Sequence, residues 1–394
     1  MYNFQGSNDL IPRDEPKGPP GALFKGSKWD LETVEPIRAA CEVVAREELG
    51  LDVYPIQIEV ISSEQMLDAY ASIGMPIMYR HWSFGKLFAY HETLYKKGLQ
   101  GLAYEIVINS NPVICYIMEE NSATMQTLVI AHAGYGHNHF FKNNYLFRQW
   151  TDASGILDYL SFARDYVAKC EERDGEEAVE RTLDAAHTLR QHIGRHKRKR
   201  ISFAEEKARR EARRTYEEEH YNDLWVRTIP DWHKPAEEPA VEKADYEAMR
   251  LPEENLLYFL EKRSPRLKGW QRELLRIVRT VSEYFYPQKQ LQMMNEGCAT
   301  FVHYYIMNRL YEKGLLSEGH MLEFLHSHSS VIFQPDFDDP RFTGINPYAL
   351  GFAMMTDIAR MCNGYATTHR GLKVPCTSEQ LAEDREWFPD IAGN

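Results

Sequence analysis

The chain has 394 residues, 43% of them hydrophobic, so it is long enough to bury a substantial core in one large domain or two to three smaller ones. A net charge of −12 argues against nonspecific nucleic-acid binding, and no apolar run approaches the roughly 20 residues of a membrane helix. The N-terminus lacks the regions of a signal peptide, and the cysteines form no Cys-x-x-Cys pair. We therefore expect a cytoplasmic protein with reduced thiols and no membrane span.

The first part of the chain combines an irregular arm with helices and strands. Residues 1–27 are rich in proline and glycine, which predicts an irregular N-terminal arm. Helical spacing of apolar residues predicts a helix over 29–49, and alternation predicts strands over 55–61 and 102–109. Ser62-Ser-Glu-Gln is typical of a helix start. Residues 28–170 are predicted to form the N-terminal half of a core.

The second part contains a charged insertion and a return to helical patterning. Residues 171–250 are dominated by acidic and basic side chains, which predicts a solvated helical insertion with i,i+4 ion pairs and a proline-containing linker. A basic contact patch for nucleic acid or another polyanion is the alternative, and neighbouring glutamates offset its charge. Residues 251–394 form the C-terminal half of the core, with helices over 256–260, 270–286 and 321–328 and a further helix after Pro287. The predicted fold class is α+β, predominantly helical.

The chemically most informative segment is His132-Ala-Gly-Tyr-Gly-His-Asn-His139, on a helix that Asn121 or Ser122 would cap. Zincin metalloproteases place two histidines at i and i+4 of a helix so that both rings face one zinc ion. His132 and His137 are one residue further apart, which separates them by roughly 140° on a regular helix. A π-bulge, made easy by the glycines between them, would bring the rings together. Without that bulge the pair fails as metal ligands.

A second segment, Asn295-Glu-Gly-Cys-Ala299, resembles the Asn-Glu-Gly-x-Ala segment that supplies the glutamate ligand in aminopeptidase-type zincins. The order of strand, histidine helix, insertion and glutamate helix also matches, so we expect a zincin-like core of a helix and an edge strand. A divalent metal, zinc first, would be held by His132, His137 and Glu296. Ala133 stands where the zincin motif has its general base. The candidates to replace that base are Glu105, Glu119 and Glu120.

Further polar residues are weaker candidates for the same site. His303 lies on the face of Glu296 but about 10 Å further along a regular helix, so we expect it to orient a ligand if it does not bind the metal itself. His81 is either a further ligand near the metal or ordinary packing, and Tyr348 could polarise a substrate carbonyl. A lone histidine is more often a hydrogen-bonded core residue than a ligand. His326 and His328 point to different sides of a helix and are predicted to be unrelated to the site.

Long segments across the chain resemble the SpoVR family of bacterial proteins. These segments are Gly74–Lys86, Gly101–Pro112, His132–Asn144, Met294–Gly297, Gly344–Phe352 and Trp387–Gly393. The resemblance covers nearly everything except the N-terminal arm and the charged insertion. It implies a role in sporulation, in forming the spore cortex, or in stationary-phase stress physiology. It also implies a PrkA-type serine kinase and a von Willebrand-like protein as partners, and a chain that continues beyond Asn394.

Two functional hypotheses follow from these residues and this resemblance. The first is a metal-dependent hydrolase or amidase that acts on a peptidoglycan precursor or a peptide. The second is a noncatalytic regulator or scaffold with a degenerate metal site, which works with the kinase and the von Willebrand-like protein. The absence of the zincin motif glutamate favours the regulator, and the accumulation of histidine, glutamate and tyrosine near one site favours the enzyme.

Overall fold

A computed structural model describes residues 21–72, 74–75, 77–97, 105–193, 255–367 and 373–388. Most of these residues are helical and the rest include a small sheet, which confirms the α+β, predominantly helical prediction. Most of the predicted N-terminal arm and the charged segment from 194 to 250 lie outside the described residues. No helix in the described ranges is both long enough and apolar enough to cross a membrane.

Helices predominate along the chain, and short strands lie between some of them. In chain order the elements are α1 Leu31–Val43, a π-helix Val44–Glu48, β1 Ile56–Ile61, α2 Ser63–Ala71, α3 Trp82–Lys96, β2 Glu105–Ile108, β3 Val113–Met118, α4 Ala123–Val129, a second π-helix Ile130–His137, α5 Asn138–Asn143, α6 Tyr145–Trp150, α7 Ile156–Asp174, α8 Glu176–Leu189, α9 Leu256–Arg263, α10 Gly269–Gln290, α11 Gln292–Glu312, α12 Glu318–Val331, α13 Pro347–Asn363, β4 Tyr365–Thr367, β5 Lys373–Pro375 and α14 Ser378–Trp387.

The three-stranded sheet has the order β1-β3-β2, with β1 parallel and β2 antiparallel to the central strand. The sequence did not predict β3, because all of its residues are buried and it therefore lacks the apolar and polar alternation of a half-exposed strand. Glu105 pairs with Ile117 and so shares its face of the sheet. Ile117 and Cys115 belong to the same core as the second π-helix, so Glu105 points toward that helix.

Two compact units can be distinguished, one formed by residues 1–180 and 283–394 and the other by residues 181–282. The core of the first unit contains α1, β3, α4, the second π-helix and α11, among whose buried side chains are Ile37, Tyr135 and Ile306. In the second unit Glu261 of α9 is buried and pairs with cations of α10, at 3.0 Å from Arg276 and 3.2 Å from Arg279.

A local sequence signal marks the start of α2 correctly. Ser62 caps α2 and forms a capping box with Gln65, as its sequence predicts. The predicted helix end at Pro287 is wrong, because α10 continues to Gln290. Proline removes only one backbone hydrogen bond there, and burial of the preceding turn around Tyr284 outweighs that loss. The helix that carries Glu296 begins five residues after the proline, at Gln292.

Candidate metal centre

The histidine helix is a π-helix over the segment in which His132 and His137 need one to face the same side. Ser122 caps α4, accepting a hydrogen bond from the Met125 N–H at 3.1 Å, and the helix then widens over Ile130–His137. Because a π-helix bonds residues five apart, His132 and His137 fall on one side of it. Their ring centroids are 4.6 Å apart. The distortion predicted from the spacing is confirmed, and it extends over eight residues rather than one.

Close helix packing brings the glutamate helix against this π-helix. A Cβ atom placed on Gly136 would lie 2.5 Å from the Ala299 Cα atom of α11, so only glycine permits the observed approach. Gly297 makes a similarly close approach to the backbone of Gly351 in α13. Three helices therefore converge around Glu296, and a side chain at either glycine would push them apart.

The polar atoms of the centre lie at the spacing expected around a shared ion. The Glu296 Oε2 atom is 3.5 Å from His137 Nε2 and 3.7 Å from His132 Nε2, and Glu105 Oε1 is 3.5 Å from His132 Nε2. These distances exceed those of good hydrogen bonds. Ligand atoms about 2.0 to 2.2 Å from a zinc ion at tetrahedral angles lie about 3.3 to 3.6 Å apart.

One buried oxygen in the centre lacks a hydrogen-bond partner. Glu296 Oε2 is inaccessible to solvent and accepts no hydrogen bond from any described residue. Both histidines are only 5% exposed. A buried carboxylate oxygen without a donor is costly, and a cation between it and the two imidazoles would remove that cost. Two imidazole nitrogens with one or two carboxylates form a ligand set that suits zinc, and the same set also binds iron or manganese. The residues therefore fit a divalent metal ion.

The two carboxyl groups have different electrostatic surroundings. Burial alone would raise the pKa of Glu296, but His137 and His132 outweigh it and bring that pKa to about 2. Burial raises the pKa of Glu105 to about 7 against the attraction of His132. Glu296 is thus an anion suited to binding a cation, and Glu105 can exchange a proton near neutral pH.

The two histidines also differ. Burial lowers the pKa of His137 to about 4, so its ring is neutral at pH 7 and carries one lone pair. Burial acts in the same direction on His132, but Glu105 and Glu296 outweigh it and raise the pKa of His132. The Nε2 atom of His132 thus lies between two carboxyl groups, 3.5 Å from Glu105 Oε1 and 3.7 Å from Glu296 Oε2.

Outer partners fix the orientation of both rings. The Nδ1 atom of His137 is 2.9 Å from Asn295 Oδ1, which leaves Nε2 directed at Glu296. The Nδ1 atom of His132 is 2.8 Å from His303 Nδ1. His303 therefore contacts the side of His132 that faces away from Glu296, and among the described residues it is not part of the group that could hold a metal ion. The sequence pattern did not predict this contact of Asn295, although its place beside Glu296 was a usable signal.

His328 was predicted to be unrelated to the site, and this prediction is wrong. Its Nδ1 atom is 3.0 Å from His303 Nε2, and the residue is buried in α12. The two histidines do point to different sides of the helix, since His326 is exposed. Sequence spacing separated the two histidines but could not show which of them faces α11.

Tyr348 lies at the start of α13 and faces the centre. Its ring stacks on that of His132, with centroids 6.4 Å apart and an interplanar angle of 25°. Burial and the nearby carboxylate of Glu296 raise the pKa of Tyr348, so its hydroxyl remains protonated and can donate a hydrogen bond. The structure therefore brings Tyr348 together with His132, His137, Glu105 and Glu296.

The remaining candidates lie elsewhere. His81 is the N-cap of α3, where its Nδ1 atom is 2.6 Å from the Ser83 hydroxyl. It lines a cavity of about 570 Å³ on the sheet face that carries Tyr116, opposite to the face of Glu105. Glu119 and Glu120 are exposed in the turn after β3. Among the described residues, the group of side chains close enough together to hold a metal ion consists of Glu105, His132 and His137, and it contains none of these three.

Comparison with known proteins places the chain in a family. The family model described as "SpoVR like protein" matches residues 28–394. The chain is also 56% identical over 377 residues to the uncharacterized protein YcgB of Escherichia coli (strain K12), covering 94% of this chain and 69% of YcgB. No solved structure matches the chain. The protein belongs to the SpoVR family, as the resemblance of its long segments indicated.

Proposed function

We propose that this SpoVR protein is a metal-dependent hydrolase or amidase in which His132, His137 and Glu296 hold a divalent ion, zinc first. The observation that carries the proposal is the π-helix, which turns both histidines toward the unpartnered oxygen of Glu296. The helix and strand around this group also support a zincin-like arrangement, although β2 supplies a glutamate that the zincin motif places on the histidine helix. An ion held there would act as a Lewis acid on a substrate carbonyl and lower the pKa of water.

Glu105 is the best candidate for the general base. It lies 3.5 Å from His132 Nε2, and burial raises its pKa to about 7. A carboxylate with that pKa can take a proton from water at Oε1 and return it to a leaving amine near neutral pH. Glu105 of β2 would thus replace the base that is missing at Ala133. Tyr348 can donate its hydroxyl proton as a hydrogen bond to the oxygen that becomes negatively charged during hydrolysis.

The assignment of Glu105 can be tested against a matched glutamate. Zinc-loaded wild type, Glu105→Gln and Glu119→Gln would be incubated with dipeptide amides and with muramoyl-peptide fragments, and released amine would be measured. Glu105→Gln should retain zinc through the three ligands and lose about 10²- to 10⁴-fold in rate, which is the usual contribution of a general base. Glu119→Gln should behave as wild type, because Glu119 is exposed in a turn.

Two results would contradict this assignment. Equal losses in both glutamate variants would remove Glu105 as the base. Zinc binding by the wild type without hydrolysis of any substrate would favour the noncatalytic regulator, in which the same centre stabilises a binding platform.

Family membership supports a proposal for the biological setting. We propose that the protein acts in sporulation or stationary-phase physiology, in the cytoplasm, on a peptidoglycan precursor or peptide. A PrkA-type serine kinase and a von Willebrand-like protein are the proposed partners. Copurification of either protein with the full-length chain from stationary-phase cells would test this setting.

A further inference from the structure

A line of three buried histidines leads from the candidate metal centre into the core. His132 Nδ1 is 2.8 Å from His303 Nδ1, and His303 Nε2 is 3.0 Å from His328 Nδ1. The three residues come from three different helices, and each is at most 5% exposed. Both contacts are short enough for hydrogen bonds between imidazole nitrogens.

The inner end of this line is apolar. The ring of His328 is surrounded by Tyr304, Phe324 and Phe352, with centroids 4.8, 5.6 and 5.1 Å away. Its Nε2 atom is buried and has no hydrogen-bond partner among the described residues. No carboxylate contacts His303 or His328 in the described structure, so a neutral ring is favoured at both positions.

Neutral rings restrict the direction of both hydrogen bonds. A neutral imidazole has one N–H donor and one acceptor nitrogen, so His303 can donate to one neighbour and must accept from the other. The two hydrogen bonds therefore run in the same direction, either away from the metal centre or toward it. If both hydrogen bonds run toward the centre, His132 accepts at Nδ1, and a neutral His132 then carries its proton on Nε2, where it blocks metal binding. If both run away from the centre, the proton of His132 lies on Nδ1 and its Nε2 lone pair is free.

We propose that His328, acting through His303, is a positioning residue that selects the metal-binding tautomer of His132. The Nε2–H group of His303 donates a hydrogen bond to His328 Nδ1, so that His303 Nδ1 accepts a hydrogen bond from the Nδ1–H group of His132. This leaves the Nε2 lone pair of His132 facing Glu296. The inference rests on the proposed metal centre, and it adds that a residue two contacts away from a metal ligand controls metal affinity.

Two substitutions at His328 separate this role from simple packing. In His328→Asn the side-chain oxygen occupies nearly the place of Nδ1 and can still accept a hydrogen bond from His303. In His328→Phe the ring refills the space between the aromatic neighbours but offers no acceptor. Zinc affinity would be measured by competition with a chelator, and thermal unfolding of the metal-free proteins would be measured beside it. His326→Asn, an exposed neighbour on the same helix, is the control.

The expected affinities and stabilities have opposite orders. His328→Phe should bind zinc about 10- to 100-fold more weakly, the usual effect of losing an outer partner of a metal ligand, because His303 would then no longer accept a hydrogen bond from His132. His328→Asn should bind within a few-fold of wild type, although it unfolds at a lower temperature than His328→Phe because it fills the aromatic site poorly.

Three outcomes would overturn the inference. If zinc affinity follows stability, so that the Phe variant binds better than the Asn variant, His328 only packs. If both variants bind zinc as the wild type does, the inference is wrong while the proposed metal centre stands. If the folded wild type binds no divalent metal at all, the proposed centre itself is wrong and the inference falls with it.

Discussion

Replacement of Gly136 by alanine should lower the stability of the protein, whereas the same replacement at Gly134 should not. The added Cβ atom would lie 2.5 Å from the Ala299 Cα atom, whereas carbon atoms in contact are about 3.5 to 4.0 Å apart. Both atoms belong to helical backbone, so the second π-helix and α11 must separate by about 1 Å. Such overpacking costs about 1 to 3 kcal/mol, and alanine returns up to about 1 kcal/mol through its helix propensity. We expect a net destabilisation of about 1 to 2 kcal/mol.

Gly134→Ala is the matched control on the same π-helix. Its Cβ atom would lie 3.3 Å from the Ile56 Cδ1 atom, the flexible end of a side chain that can move aside. We expect its stability to be unchanged or raised by up to about 1 kcal/mol. Urea unfolding of both metal-free variants, followed by circular dichroism, measures this difference. Zinc affinity should fall only in Gly136→Ala, because Ala299 and Glu296 move together on α11. Equal stability and equal zinc affinity in the two variants would refute the reasoning.

Three further predictions concern individual polar groups. In metal-free protein, burial raises the pKa of Glu105 from its ordinary 4.5 to about 7. The free energy of unfolding should therefore fall by about 3 kcal/mol as the pH rises from 4.5 to 7, because the folded state holds a proton that the unfolded state has lost. Urea unfolding of Glu105→Gln should lack this fall. Burial would raise the pKa of Glu261, but Arg279 and the neighbouring cations lower it. Glu261→Gln should therefore lower the free energy of unfolding by about 3 to 5 kcal/mol at pH 7, measured with denaturant. Its difference from wild type should shrink as the pH falls below 4.5, because the wild-type carboxylate then becomes protonated. Asn295→Ala should weaken zinc binding about 10- to 100-fold in chelator competition, because the orienting partner of His137 is lost, and unchanged affinity would contradict that role.

The sequence predicted the parts of this site that depend on spacing along one element. The five-residue interval between His132 and His137 required a π-helix, and the structure has one. The helical separation between Glu296 and His303 predicted that the two side chains lie apart along the helix, and His303 contacts His132 at Nδ1, away from Glu296. Both predictions follow from backbone geometry within a single helix, which sequence specifies directly.

Features that depend on contacts between elements were not predictable in the same way. Choosing Glu105 over Glu119 and Glu120 requires the register of β2 against β3, which sequence periodicity does not supply. The fully buried β3 lacked alternation, and His328 could be placed only once the face that α12 presents to α11 was known. Gly136 was expected to ease the π-distortion, and the structure adds that it permits the close approach of α11.

Metal content is the most direct test of the central claim. Purified wild type, His137→Ala, Glu296→Ala and the control His139→Ala would be checked for folding by circular dichroism, reconstituted with zinc, iron or manganese, and subjected to elemental analysis. His139 follows the ligands in sequence but interacts with Asp52 and Asn143 rather than with the centre. We predict about one ion per chain in wild type and in His139→Ala, and loss of that ion in the other two variants. A folded wild type that holds no metal, or variants that hold as much as wild type, would contradict the account.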